Sequence, residues 1–161
     1  MIRMDILDFK ILHLLLEDGR LSWTELGKSV GLTPPGVADR VRRLGEKGPL
    51  LGFSARVDEE SMGYAVLAFV GVTLQRPQHR KPFLEAIASW REVQECHHLA
   101  GEEDYLLKVR TFDLKSLDRL ISDRIKGLRG VLRTRTQVVL STEKESPLLP
   151  LREERSEGVG P

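Results

Sequence analysis

The stretch "CHHLAGEEDYLLKVR" (residues 96–110) sets two apolar, strand-like runs on either side of a small acidic centre, Gly101-Glu102-Glu103-Asp104. Glycine and aspartate are residues that hairpin turns use, so the pattern predicts strands over 93–100 and 105–111 joined by that centre. Three consecutive carboxylates are more negative charge than a turn needs, which makes the same residues candidates for a site. Upstream, "YAVLAFVGVTL" (64–74) is long, apolar and β-branched and reads as a buried strand, broken by Pro77. Phe83, Leu84, Ile87 and Trp90 then mark a helix over 82–90. Downstream, Asp113 is an N-cap for "LKSLDRLISDRIK", whose stripe Leu114, Leu117, Leu120, Ile121, Ile125 is helical and ends at Gly127. In "GVLRTRTQVVLST" (130–142), Leu132, Thr134, Thr136, Val138 and Leu140 alternate with Arg133, Arg135 and Gln137, the mark of a half-exposed fourth strand.

The resulting order is β-α-β-β-α-β, the split βαβ or ferredoxin-like sandwich. Two helices cover one face of four strands and leave the other bare. Such a face calls for a partner, and dimerisation through the sheet is the expectation.

The N-terminal third has a different logic. Leu7, Ile11, Leu14 and Leu15, widened by Leu12 and Leu16, give a helix over 5–17 that ends at Gly19. "SWTEL" opens a second helix with a capping box between Ser22 and Glu25, and Gly31 closes it. Thr33 caps a third, with Pro34 at the first position, running to about Glu46. Val37, Val41 and Leu44 form its buried stripe, while Gly36, Arg40, Arg43 and Lys47 share another face. Helix, tight glycine turn, helix with a basic face: this is the helix-turn-helix layout. Between Lys28 and Arg56 six basic residues stand against two acids, in a chain whose formal net charge is only +1. A local basic patch of this kind is what phosphate binding requires. Arg40 and Arg43 are candidates for guanine edges or phosphates, and Lys28 and Thr33 for the DNA backbone near helix N-termini. Pro35 and Gly36 open the same helix and join the candidate surface. Gly48-Pro49 closes it, "LLGFSARVD" continues as an extended linker strand over 49–63, and Asp58 to Gly63 connects the two units.

Composition sets the outer bounds. The chain has 161 residues, 40% of them apolar, enough for one medium or two small cores. It contains no apolar run of the roughly 18 residues that spanning a membrane takes. Its start lacks a secretory cleavage pattern, so a cytoplasmic protein is expected. One cysteine, Cys96, allows neither a disulfide framework nor a thiolate cluster. Cys96, His97 and His98 are consecutive strand residues that point to alternate faces, so they cannot converge on one metal ion. No phosphate-binding glycine loop is present, and no cofactor is implied.

From about Met4 to Leu151 the sequence resembles the Lrp/AsnC, or feast/famine, family of transcriptional regulators. "DILDFKILHLLLEDGRLSWTELGKSVGLTPPGVADRVRRLGEKG" is similar to the family's helix-turn-helix, with its Asp8, "DGR" and "RVRRL" elements. "VQECHHLAGEEDYLLKV" resembles its V-x-E-C … G-x-x-D-Y-L-L signature, and "LRGVLRTRTQVVL" its last strand. The resemblance implies an α+β protein with a winged helix-turn-helix over 1–48 and a ligand-sensing, oligomerising α/β domain over 64–151. Residues 152–161 would be a flexible tail. It also implies a non-enzymatic, nucleoid-associated regulator that binds a pseudo-palindromic site on double-stranded DNA. Such proteins are homodimers that assemble further to tetramers or octamers.

The effector implied by the resemblance is an amino acid held between protomers. Gly101, Asp104 and Tyr105 border that pocket, with His98 and Ala100 leading into it and Thr134 and Thr136 on the last strand. The chemistry is consistent. A zwitterion needs an anion for its ammonium, supplied by Asp104 or by Glu102 and Glu103, and backbone N–H groups for its carboxylate, which a glycine lets approach. Two departures from the family pattern stand out. Gly36 replaces a hydroxyl residue and weakens the helix, and Pro49 replaces a β-branched one. The rival readings are a sirohaem-decarboxylase-like enzyme, recruiting His97, His98 and Arg110, and an architectural DNA-binding protein blind to effectors.

Overall fold

The computed structural model describes residues 4–149, which form two compact units. The expected tail over 152–161 lies outside the described residues. One unit holds the chain up to Ala55 together with the segment from Lys144; the other spans Arg56–Glu143. The division thus puts 144–149 with the helices rather than with the sheet.

The first unit is three helices: α1 (Ile6–Glu17), α2 (Trp23–Val30) and α3 (Pro34–Lys47). Each begins at a side-chain cap. Asp5 and Asp8 form a reciprocal capping box on α1, Ser22 and Glu25 do the same on α2, and the Thr33 hydroxyl accepts from the Gly36 N–H on α3. The Ser22 hydroxyl beside Glu25 holds that carboxyl below its ordinary value. Gly31 ends α2 with φ 72°, the left-handed conformation expected of it. Ile11, Leu15, Leu26, Val30, Val37, Val41 and Leu44 close the core.

The expected linker strand is absent among the described residues, and with it any strand that would make a wing. Residues 50–58 join no strand ladder among the described residues, although the Leu50 N–H donates to the Leu44 carbonyl at 3.2 Å, and Leu51, Phe53 and Val57 are exposed. Pro49 has no N–H to give a ladder, and the described residues of the helical unit offer this segment no neighbouring strand. Residues 59–63 form the connecting turn, closed by the Tyr64 N–H on the Glu59 carbonyl at 2.9 Å.

The second unit is the split βαβ sandwich. Its strands are β1 (Val66–Leu74), β2 (Val93–His98), β3 (Tyr105–Thr111) and β4 (Val131–Val138), antiparallel in the order β2-β3-β1-β4. Ala68, Val70 and Val72 oppose Val109, Leu107 and Tyr105 on one face. Helices α4 (Arg80–Ala88) and α5 (Leu114–Arg119) bury that face with Phe83, Ile87 and Leu117. After Arg119 the last helix widens into a π turn, Leu120–Ile125, and the Lys126 N–H reaches back five residues to the Ile121 carbonyl. Helix α4 starts two residues earlier than the apolar spacing predicts. A 3-10 turn, Pro77–His79, leads into it, so Pro77 opens a helical segment as well as ending a strand.

The opposite face carries Leu67, Phe69, Gly71, Leu106, Lys108 and Arg110 with no helix over them. The register separates the Cys-His-His run. Cys96 and His98 oppose Leu107 and Tyr105 on the helix side, and His97 opposes Leu106 on the bare side. No group of metal-ligating side chains occurs among the described residues, and no described helix is long and apolar enough to cross a membrane.

A Cβ added at Gly31 would meet nothing within 4 Å, so substitution there is penalised by conformation alone. Gly31→Ala and Gly31→Gln should therefore lose the same stability, about 1–2 kcal/mol by chemical denaturation. Gly31→Asn should lose less, since Asn tolerates the left-handed region.

Candidate functional site

Helix α3 packs Val37, Val41 and Leu44 inward, and at 100° per residue its outermost line is Pro35, Asp39, Arg42 and Glu46. All four are exposed. Arg42 is paired along this line with Asp39 and with Glu46, the latter at 3.2 Å. Lys28 and Lys47 are exposed in the last turns of α2 and α3; Thr33 is exposed at its cap, and Gly36 is half-buried in the first turn.

Arg40 and Arg43 are placed differently from a solvent-facing basic stripe. They flank α3 on the side of α1. Arg40 Nη1 donates to both oxygens of Asp5, at 2.9 and 2.7 Å, and to Asp8 Oδ1 at 2.8 Å. Arg43 Nη2 reaches both oxygens of Asp8 at 2.9 Å. The Asp8 carboxylate also accepts from the Asp5 N–H at 3.2 Å, and only 1% of Asp8 is exposed. A buried carboxylate is tolerable when cations and donors surround it, and two guanidiniums with a backbone N–H do so here. The Arg40 guanidinium holds the Asp5 carboxyl below its ordinary value, and Asp5 in turn raises Arg40.

In the second unit the acidic centre resolves into three separate roles. Asp104 Oδ2 accepts from the Leu74 N–H at 2.7 Å, and its own N–H and carbonyl bond to Val72 and Leu99. Since β3 begins only at Tyr105, the Leu74 N–H lies past its end, and the carboxylate takes the ladder position that the strand no longer provides. Glu103 turns onto the bare face of the sheet. There it is 18% exposed, lies against Gly71 and comes within 3.8 Å of Arg135. A Cβ on Gly71 would stand 2.7 Å from Glu103 Cγ, so a side chain there would displace that of Glu103. Glu102, Gly101 and Ala100 are exposed at the tip of the turn.

Beside Asp104 opens a cavity of about 230 Å³ lined by Arg76, Pro77, Arg80, His98, Asp104 and Tyr105. Of the residues expected from sequence, His98, Asp104 and Tyr105 meet here. Ala100, Gly101, Glu102 and Glu103 do not line it. Thr134 and Thr136 oppose Val72 and Val70 on β4, away from the cavity. Tyr105 is 2% exposed, set between His98 and Phe83 at 5.1 Å from each, so it forms the cavity's floor. Arg76 and Arg80 are not among the residues expected from sequence. The one signal for them is "RPQHR" directly after a strand, where two arginines flank the turn into a helix. A larger groove of about 530 Å³ lies along α1 and residues 49–53, but its walls are mostly apolar, with His13 among them and no charged pair like that around Asp104.

Comparisons with known proteins place both units. Residues 4–45 match the AsnC-type helix-turn-helix domain and residues 67–149 the Lrp/AsnC ligand binding domain. The chain is 40% identical over 145 residues to a proline dehydrogenase transcriptional activator of Rhizobium radiobacter, covering 89% of this chain and 93% of the relative. It is 38% identical over 151 residues to the leucine-responsive regulatory protein of Escherichia coli K12, covering 92% of each. A transcriptional regulator of Neisseria meningitidis, solved as its complex with L-Met, superposes with a TM-score of 0.88 at 31% identity, over 93% of this chain and 98% of that one.

Removing the Asp104 carboxylate strands a backbone donor at the end of β1. Asp104→Ala should cost about 2 kcal/mol in chemical denaturation and speed amide exchange at Leu74, and Asp104→Asn, which keeps an acceptor, should cost less. Capped helices with a helix-turn-helix order, a split βαβ unit, and matches spanning both show that the chain belongs to the Lrp/AsnC family of transcriptional regulators.

Proposed function

We propose that this chain is a sequence-specific DNA-binding regulator, not an enzyme, whose affinity or assembly responds to an amino acid bound beside Asp104. The observation that carries the effector half is the pairing of opposite charges around one small cavity. Asp104 and the two arginines Arg76 and Arg80 line it together, over an aromatic floor. An ammonium seeks the first and a carboxylate the second. A cavity of about 230 Å³ is below the size typical for drug-sized ligands and suits a small metabolite. The Neisseria relative was solved with L-Met, an amino acid, which supports the class.

The DNA half rests on α3. Its open line with Pro35 and Arg42 would face the major groove, while Lys28, Thr33, Gly36 and Lys47 meet the backbone around it. Arg40 and Arg43 border that surface from the α1 side. A homodimer supplies the second recognition helix and so a pseudo-palindromic site, with further assembly to tetramers or octamers. The bare sheet face, with Leu67, Phe69 and Leu106, and the unpaired segment with Leu51, Phe53 and Val57 are the apolar surfaces such assembly would cover.

Fluorescence anisotropy with the DNA upstream of its own gene tests the first half. Arg42→Ala/Lys47→Ala should weaken binding about tenfold or more and flatten the salt dependence by about 0.9 for each phosphate the variant no longer neutralises. Unchanged binding by that variant would remove α3 as the reading element. Calorimetry with the twenty amino acids tests the second half. At least one should give saturable heat that Arg76→Ala/Arg80→Ala abolishes, with DNA binding in its absence intact. Heat from none of them would leave a regulator blind to amino acids.

A further inference from the structure

The contacts of Arg40 combine two carboxylates of opposite character. Asp8 is closed off from water, whereas the Asp5 side chain is 53% exposed. Both bond to the same atom, Nη1, the Asp5 oxygens at 2.9 and 2.7 Å and Asp8 Oδ1 at 2.8 Å. Separating Arg43 or Arg40 from Asp8 would leave a buried charge short of a cation, which is strongly disfavoured. Separating Arg40 from Asp5 exposes only a carboxylate already half in water, which rehydrates at little cost. The two partners are therefore unequal: one is fixed and one is exchangeable.

We propose that Asp5 is a built-in competitor for DNA phosphate at Arg40, so that the protein binds DNA less tightly than its cationic surface allows. The proposal rests on the DNA-binding reading above and adds to it a residue that need not touch DNA at all. In the free protein the Asp5 carboxylate occupies the guanidinium as a phosphate oxygen would, since both are anionic acceptors that suit its donors. On the duplex, Arg40 gives up Asp5 and keeps Asp8, and Asp5 turns to water. Asp8, shared by Arg40 and Arg43, is the pivot that holds α3 against α1 throughout the exchange. The depressed Asp5 carboxyl and raised Arg40 are what a strong mutual interaction in the unbound state produces.

Asp5 is also the N-cap of α1, so the test must remove its charge and keep its cap. Asp5→Asn does this, and Asp5→Ser does so with a different shape; both residue types cap as well as Asp. Binding of a generic duplex and of the upstream DNA would be followed by anisotropy across a salt series. The expected result is several-fold tighter binding at low salt with the log–log salt dependence nearly unchanged, because Arg40 meets the same phosphate in both proteins and only its competitor is gone. In an Arg40→Ala background the same Asp5 substitutions should leave the affinity unchanged. Two results would overturn the proposal: no gain in affinity with Arg40 present, or an equal gain with Arg40 absent, which would mark a general charge effect. If the unaltered protein binds no duplex at all, the DNA-binding reading fails first and this one with it.

Discussion

The bond from the Leu74 N–H to the Asp104 carboxylate is the constraint on which this end of the sheet depends. β1 is a central strand, flanked by β3 and β4, and it runs on past the place where β3 begins. A backbone donor left there, beside a cavity rather than in bulk water, needs an acceptor. Asp104 supplies it, and the chain can then continue through Gln75, whose N–H goes to the Gly130 carbonyl at 2.8 Å, into the turn at Pro77. That continuation brings Arg76 and Arg80 to the same cavity as His98 and Asp104. The cavity is a consequence of how one strand end is closed, so the turn and the proposed site are the same object. Shaping a hairpin and serving a ligand are not alternatives for Asp104, because the oxygen used for the first role leaves the carboxylate with a second oxygen for the other.

A similar economy operates in the helical unit. Asp8 and Asp5 cap a helix and hold two arginines of its neighbour, and the caps that define α1 also set where α3 lies. Buried charges tend to fix geometry more than they add stability, because desolvation offsets much of their attraction. The value of Asp8 is then orientation: with Arg40 and Arg43 both on one carboxylate, α3 has little freedom to roll about Val37, Val41 and Leu44.

How much of this is legible in the sequence differs by the kind of interaction. Caps and turns are readable because they are local: Ser22 with Glu25, Gly31 and Thr33 each act within four residues of themselves. Strand faces are readable because alternation needs no partner to be visible, which is why the sequence alone parts Cys96 and His98 from His97. The unpaired segment after Pro49 is not, since a run that looks like a strand becomes one only when a neighbour accepts its hydrogen bonds. Spacing makes Arg40 and Arg43 look like an outward face because it says which residues share a side and not what that side meets. A sign is present nonetheless. Asp8 stands at i with Ile11 and Leu15 at i+3 and i+7, an acid on the buried stripe of α1, and such an acid demands a cation from somewhere. Arg76 and Arg80 escape a reading that takes the proline-containing break as an end and not as the start of the next element.

The position of the carboxylates also bears on how a small basic patch can serve a regulator. A guanidinium tied to a carboxylate of its own unit meets that competitor at a fixed, high effective concentration. A lone phosphate in solution cannot displace it efficiently. A duplex can, because it offers many phosphates at once and releases condensed counterions as they are neutralised. Under the proposed competition, opposition at Arg40 is felt only in complexes where that side chain is engaged. Loosely docked modes that leave Arg40 on Asp5 forgo its contribution, and modes that engage it must match the geometry set by Asp8. An intramolecular ion pair at the margin of the proposed recognition helix would thus make part of the affinity conditional on correct docking, using no residue that touches a base.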